Sequence, residues 1–206
     1  MTFVSESCII YINKGGAKLE SKPYKLGLIV GRFQVFHKGH EAMIRKSIEL
    51  CEKTLIFIGS AQESMTQKNP FSYEFRREII SDVFWEELFD GKIMIRPLND
   101  IGVGNTSSWG AYVLSCAEHE CKMTPDLLVS GREGRRVTWF DAENVDISEL
   151  YLPKTIDISA TEMRENILQD NRTFWQSYTS PKLWGKYSKM RSIIIASQKN
   201  TETKSI

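Results

Sequence analysis

Along the chain, short apolar runs ending at glycine or a polar turn alternate with stretches whose apolar residues return every three or four positions. Leu28-Ile29-Val30, bounded by Gly27 and Gly31, has the continuous apolar character of a strand buried on both faces. Glu41 to Cys51 follows, with Ile44, Ile48 and Cys51 on one face, which is the period of a helix. Thr54-Leu55-Ile56-Phe57-Ile58-Gly59 predicts a second strand. After it, Pro70 and Ser72 signal a helix start, and Phe75, Ile79, Val83 and Phe84 form its apolar stripe. Lys92 to Leu98 predicts a third strand, followed by a helix from Trp109 that turns Val113, Leu114 and Ala117 inward, and Asp126 to Gly131 predicts a fourth strand. Ser159 with Glu162 is a capping box, so a helix begins there on local grounds. Ser180-Pro181 is the start signal of the terminal helices, and Trp175, Trp184 and Tyr187 read as core or interface aromatics. This alternation predicts an α/β fold with a doubly wound parallel sheet, helix-covered on both faces.

A length of 206 residues suits one domain. Residues 26–195 form it, with C-terminal helices. Residues 1–25 are an N-terminal extension, in which Cys8 to Ile12 and the turn Asn13-Lys14-Gly15-Gly16 suit either an added edge hairpin or a frayed arm. Residues 196–206 are a polar tail with the composition of a disordered segment. A net charge of +1 gives no general attraction to nucleic acid or to an anionic membrane, so neither is expected as a partner and anion binding must be local. Cys8, Cys51, Cys116 and Cys121 form no C-x-x-C pair, which fits a reducing compartment. With no basic leader before the first apolar run and no run of membrane-spanning length, the expected location is the cytoplasm.

The chemistry concentrates between the first strand and the first helix. Gly31-Arg32-Phe33-Gln34-Val35-Phe36-His37-Lys38-Gly39-His40 brings an arginine, a lysine and two histidines to a helix start, where free N–H groups and the dipole favour a phosphate. Histidines at i and i+3 also suit zinc, but no clear third ligand accompanies them, and no protein-held metal is expected. Gly102 to Ser107 resembles a dinucleotide fingerprint only superficially, since it lacks the third glycine and follows a third strand. Arg76 and Arg77, in the first turns of a helix, are either solvated surface or nucleotide contacts. Arg132, Arg135 and Arg136 are either a solvated cluster or a phosphate-steering one, with Arg132 the strongest candidate.

Gly31 to His40 resembles the GRFQPFHxGH opening of nucleotidylyltransferases, specifically nicotinamide mononucleotide adenylyltransferases of the archaeal type. Val35 stands where that family usually has proline. Gly59-Ser60-Ala61-Gln62-Glu63-Ser64 with Asn69-Pro70-Phe71 is similar to its GSAQxSxTxxNPF segment, Met65 replacing a common histidine, and Ile158-Ser159-Ala160-Thr161-Glu162-Met163-Arg164 is similar to its ISxTxxR segment. The resemblance covers about residues 26–190 and implies a Rossmann-like sheet of the nucleotidylyltransferase type. It implies that His37, His40, Arg32 and Arg164 serve the ATP phosphates. It also implies that Gly31, Phe33, Gln34, Gly39, Ser130, Gly131, Arg132, Ile158, Ser159 and Thr161 bind ATP. Ser60, Gln62, Asn69, Phe71, Asp100 and Trp109 would then bind nicotinamide mononucleotide, with a tryptophan suited to stack on a cationic ring.

The reaction so implied is transfer of AMP from ATP to nicotinamide mononucleotide, giving NAD and pyrophosphate, with Mg²⁺ held mainly by phosphate oxygens and water. The substrate partners are ATP and nicotinamide mononucleotide. A homo-oligomer is compatible with the sequence and not specified by it. Two other readings stand beside this one: transfer to another phosphorylated acceptor such as phosphopantetheine, and a non-catalytic module that senses NAD or ATP.

Overall fold

A computed structural model describes residues 21–131, 138–141, 146–153 and 156–203. Five strands, β1 (Tyr24–Gly31), β2 (Cys51–Ile58), β3 (Ile93–Pro97), β4 (Leu127–Ser130) and β5 (Ser148–Tyr151), form one sheet in the order β3-β2-β1-β4-β5. Every neighbouring pair is parallel. The chain builds outward from β1 to β3, then returns to the other side of β1 for β4 and β5. The switch point therefore lies between the ends of β1 and β4, where open parallel sheets place ligands.

Strand alternation divides the core in two. Ile29, Ile56, Ile58, Ile93, Ile95 and Val129 face one layer, packed by α1 (Lys38–Leu50), α2 (Tyr73–Val83), α5 (Ala160–Leu168) and α7 (Tyr187–Thr203). Leu26, Leu28, Leu55, Phe57 and Leu128 face the other, covered by α4 (Ser107–Cys121) with Val113, Leu114 and Ala117. This period of two explains why the strands read as unbroken apolar runs: both faces are buried. The short helices α3 (Trp85–Phe89) and α6 (Arg172–Ser177), and a 3₁₀ turn at Pro181–Lys186, complete the described chain.

Local signals explain most of the helix starts. Ser72 Oγ accepts from Phe75 N, Thr106 Oγ1 from Trp109 N and Ser159 Oγ from Glu162 N. Several boundaries differ from expectation. Helix α1 ends at Leu50, so Cys51 opens β2 and is buried there instead of closing a helix face. Strand β5, without a clear apolar run, is the edge beside β4 among the described residues. Trp175 and Tyr187 are buried, whereas Trp184 is exposed. Helix α7 runs on to Thr203 with Ser197 buried, so most of the segment whose polarity predicts a disordered tail is helical. Of the N-terminal extension, residues 1–20 lie outside the described residues, and Tyr24 and Lys25 already belong to β1.

Candidate active site

The turn after β1 is shaped from within. Phe33 adopts a left-handed backbone (φ 53°), and its buried ring lies under Gly31, where a Cβ would approach that ring to 2.9 Å. Gln34 is also buried, and its side-chain amide makes both backbone hydrogen bonds of a strand partner: Nε2 donates to Phe71 O and Oε1 accepts from Phe71 N, each at 2.9 Å. Val35 and Phe36 are buried, and the Gln34–Val35 peptide is cis. Phe33, Gln34, Phe71 and Asn69 thus support the site from behind, with their side chains committed to packing or to neighbouring groups.

The N-terminus of α1 differs from expectation in one respect. Its first N–H groups have acceptors already: Lys38 N donates to Tyr178 O at 2.8 Å, Gly39 N to His37 Nδ1 at 3.2 Å, and the His37 and His40 side chains complete a reciprocal capping box. The two imidazoles are packed 3.8 Å apart between centroids, and Phe33 meets His40 edge-on at 5.0 Å. Burial, and then the neighbouring His37, hold His40 well below the usual histidine range, so it is neutral at pH 7. Its Nδ1 accepts from His37 N, which places the proton of the neutral ring on Nε2.

Two cavities open at the C-terminal end of the sheet and share Val30 and Gly31. The first, about 520 Å³, lies between α1 and the end of β4. Its lining includes Gly31, His37, Gly39, His40, Ser130, Gly131 and Ile158, together with Met43, Lys46 and Leu152. The second, about 250 Å³, lies beyond β1 and β2 and is lined by Arg32, Gly59, Ser60, Asp100, Asn105, Trp109 and Trp139. Of the candidates assigned to ATP, Gly31, His37, Gly39, His40, Ser130, Gly131 and Ile158 line the first cavity. Of those assigned to the acceptor, Ser60, Asp100 and Trp109 line the second, where Arg32 also lies. Phe33, Gln34, Asn69, Phe71, Ser159, Thr161 and Arg164 line neither. Gln62 acts indirectly, its amide clamping the backbone of Asp100 (Nε2 to Asp100 O 2.9 Å, Asp100 N to Oε1 3.0 Å). Arg132, with Arg135 and Arg136, lies outside the described residues.

Arginines converge behind this seam. Arg164 donates to Thr161 Oγ1 at 3.0 Å and to Gln34 O, which ties the start of α5 to the motif turn. Burial, with Arg32 beside it, lowers its pKa. Arg76 is neither solvated nor in a cavity: it is fully buried, its guanidinium bonded to four backbone carbonyl contacts, at Ser72, Arg32, Gly59 and Ser60.

A family model described as cytidylyltransferase-like matches residues 28–92. The nicotinamide-nucleotide adenylyltransferase of Saccharolobus solfataricus is 41% identical over 88 residues, 42% of this chain and 50% of that protein. The protein of the same name from Methanococcus vannielii is 31% identical over 152 residues, spanning 73% of this chain and 80% of the relative. The chain belongs to the nicotinamide-nucleotide adenylyltransferase family. Among solved structures, a bifunctional NMN adenylyltransferase/ADP ribose pyrophosphatase from Francisella tularensis has the same fold, with TM-score 0.69 at 21% identity, covering 87% of this chain and 54% of that one. The match spans about half the length of the first curated relatives.

Within this adenylyltransferase-family frame, sequence reasoning did not single out Trp139, Asn105, Lys46 and Met43. Met43 and Lys46 carry a signal, since they follow Gly39 at helical spacing and so share its face. Trp139 carries none, because its place depends on packing against α4: Trp139 Nε1 donates to Asn105 Oδ1 at 2.6 Å and its ring meets Trp109 at 6.3 Å. Among the described residues, the polar side chains lining the first cavity are two imidazoles, a lysine and a serine, beside apolar ones such as Met43, Val129 and Leu152, with no carboxylate. That set suits phosphate and not a hard cation, so the described residues of this cavity do not fit a protein-held magnesium ion.

Proposed function

We propose that this chain transfers the adenylyl group of ATP to the phosphate of nicotinamide mononucleotide, forming NAD and pyrophosphate. The observation that carries this reading is the pair of cavities meeting at Gly31, the imidazole-lined one beside the aromatic one, with Arg32 and Arg164 near their junction. The names of the relatives support it. A phosphate oxygen of the acceptor attacks the α-phosphorus of ATP, and the bond from that phosphorus to the bridging oxygen breaks. Pyrophosphate leaves with the electron pair. The acceptor oxygen is already anionic at neutral pH, so no base is needed to create it.

The residues then act by position and charge, as in phosphoryl transfer generally. His40 is neutral in the free protein, and an adjacent polyphosphate would favour its protonated form. Arg32 and Arg164 raise each other's demand for an anion. Trp109, with Trp139 at its edge, offers an aromatic wall to a flat cationic ring. Mg²⁺ would come with the triphosphate, held by its oxygens and water.

The test is pyrophosphate release with ATP, Mg²⁺ and nicotinamide mononucleotide, wild type against His40→Ala. Release should require this acceptor and fall on the order of 10²–10³-fold in the variant. Release with phosphopantetheine instead would overturn the acceptor assignment, and ATP binding without turnover on any phosphorylated acceptor would indicate a sensor.

A further inference from the structure

A fully buried arginine usually has a carboxylate partner, because an uncompensated charge in the interior is costly. Arg76 forms no ion pair among the described residues. Its Nη1 donates to Arg32 O at 2.9 Å and Gly59 O at 2.7 Å, its Nη2 to Ser60 O at 3.1 Å, and its Nε to Ser72 O at 3.2 Å. Those carbonyls belong to the turn after β1, the end of β2 and the N-cap of α2. Gly59 N in turn donates to Gly31 O at 2.9 Å, so a continuous set of bonds runs from Arg76 to one of the two residues that both cavities share.

Two consequences follow. The planar fork binds three chain segments at once, which a lysine ammonium on a flexible stem does not reproduce. The charge also sits behind the junction next to Arg32, and although Glu74 and Glu63 act on it at a distance, neither is in an ion pair with it among the described residues. Burial lowers the guanidinium pKa to about 10, still far above neutrality, so the charge is kept.

We propose that Arg76 is a positioning residue for the bridging phosphates: it locks the backbone under the junction of the two cavities, and its charge, in no direct contact with a carboxylate, adds to that junction a positive potential which a ligand's phosphates complete. This rests on the two-substrate reading above. The carbonyls that Arg76 holds at Arg32, Gly59 and Ser60 belong to residues of the second cavity and reach the first only through Gly31, so a selective defect is expected. AMP, confined to the first cavity, should bind nearly as before. A pyrophosphate-bridged dinucleotide that crosses the junction should not, and nicotinamide mononucleotide should lie between.

The experiment measures binding of AMP, nicotinamide mononucleotide and NAD by calorimetry to wild type, Arg76→Gln and Arg76→Lys, with thermal melts to establish that each is folded. Arg76→Gln should weaken NAD by 30-fold or more while changing AMP by less than threefold, with nicotinamide mononucleotide between the two. Arg76→Lys, which keeps the charge without the fork, should fall between, and it carries the test if the glutamine variant does not fold. Equal loss for AMP and NAD, or unchanged NAD affinity in a folded variant, would overturn the proposal and leave Arg76 a strut of the fold. Wild type that binds NAD without turning over ATP would fail the transfer reading alone, since the affinity pattern still decides the role of Arg76. Wild type that binds AMP but no dinucleotide would overturn both.

Discussion

Replacing Gly110 by alanine should damage the second cavity, proposed to take the acceptor, and spare the first, proposed to take ATP. Gly110 lies in the first turns of α4 with Trp139 against it, and a Cβ there would stand 1.8 Å from Trp139 O and 2.5 Å from its carbonyl carbon. A carbon–oxygen contact needs about 3.3 Å, so the segment must retreat by about 1.5 Å. The clash is with backbone, so no rotamer change relieves it. Trp139 forms part of the wall of the second cavity and holds Asn105. A misplacement of about 1 Å in a binding wall costs up to ~100-fold, so affinity for nicotinamide mononucleotide should fall about 30- to 100-fold, equivalent to about 2–2.7 kcal/mol. ATP affinity should stay within threefold, because Trp139 takes no part in the first cavity. Overpacking of this kind lowers stability by about 1–3 kcal/mol, or about 2–4 °C in melting temperature per kcal/mol. Calorimetric titration with each ligand, beside a thermal melt, measures all three quantities. A destabilised variant with unchanged acceptor affinity would refute Trp139 as the wall, and a parallel loss of ATP would refute the separation of the two cavities.

Two further outcomes are expected. His40 sits well below the usual histidine value of 6.5, so below that pH the unfolded chain binds the extra proton first; stability is greatest above about pH 6.5 and declines as pH falls through it. Urea midpoints between pH 7.5 and 5.5 should therefore drop less steeply in His40→Asn than in wild type, and equal slopes would exclude His40 as the source. Gln34→Ala leaves the N–H and C=O of Phe71 without their partners in a buried setting, a loss of about 2–5 kcal/mol. Urea unfolding should show that loss, and a variant as stable as wild type would contradict the structural role given to Gln34.

What the sequence disclosed, and what it hid, follows from how local each signal is. Leu28 to Val30 and Leu55 to Ile58 announce themselves because both of their faces are buried, and Ser72 marks a helix start through a hydrogen bond only three residues long. Strand β5 was not legible, since as an edge it presents Ser148 and Glu149 among its few residues and takes its conformation from β4. The polar end of α7 was misread because its helicity comes with tertiary packing, visible at the buried Ser197. In the site, the histidines and Gly31 were legible as a pattern beside a strand end. Gln34 and Arg76 were not: a buried glutamine or arginine is intelligible only once carbonyls from distant segments are seen around it.

The bonds that assemble the site have a consequence for the order in which it can form. Gln34 meets Phe71 across 37 residues, Arg164 meets Gln34 across 130, and Lys38 Nζ meets Ser177 O at 2.7 Å across 139. Loop-closure entropy grows with such separations, so contacts of this kind form after the local strand–helix units. The cap on the first turn of α1 comes from Tyr178, near the other end of the domain. The start of α1, where the proposed function places the phosphates, is therefore completed only when the C-terminal helices have docked, and it is lost as soon as they leave. A nucleotide seated there would hold the early and late parts of the chain together, so its binding energy would count directly against the opening of those helices.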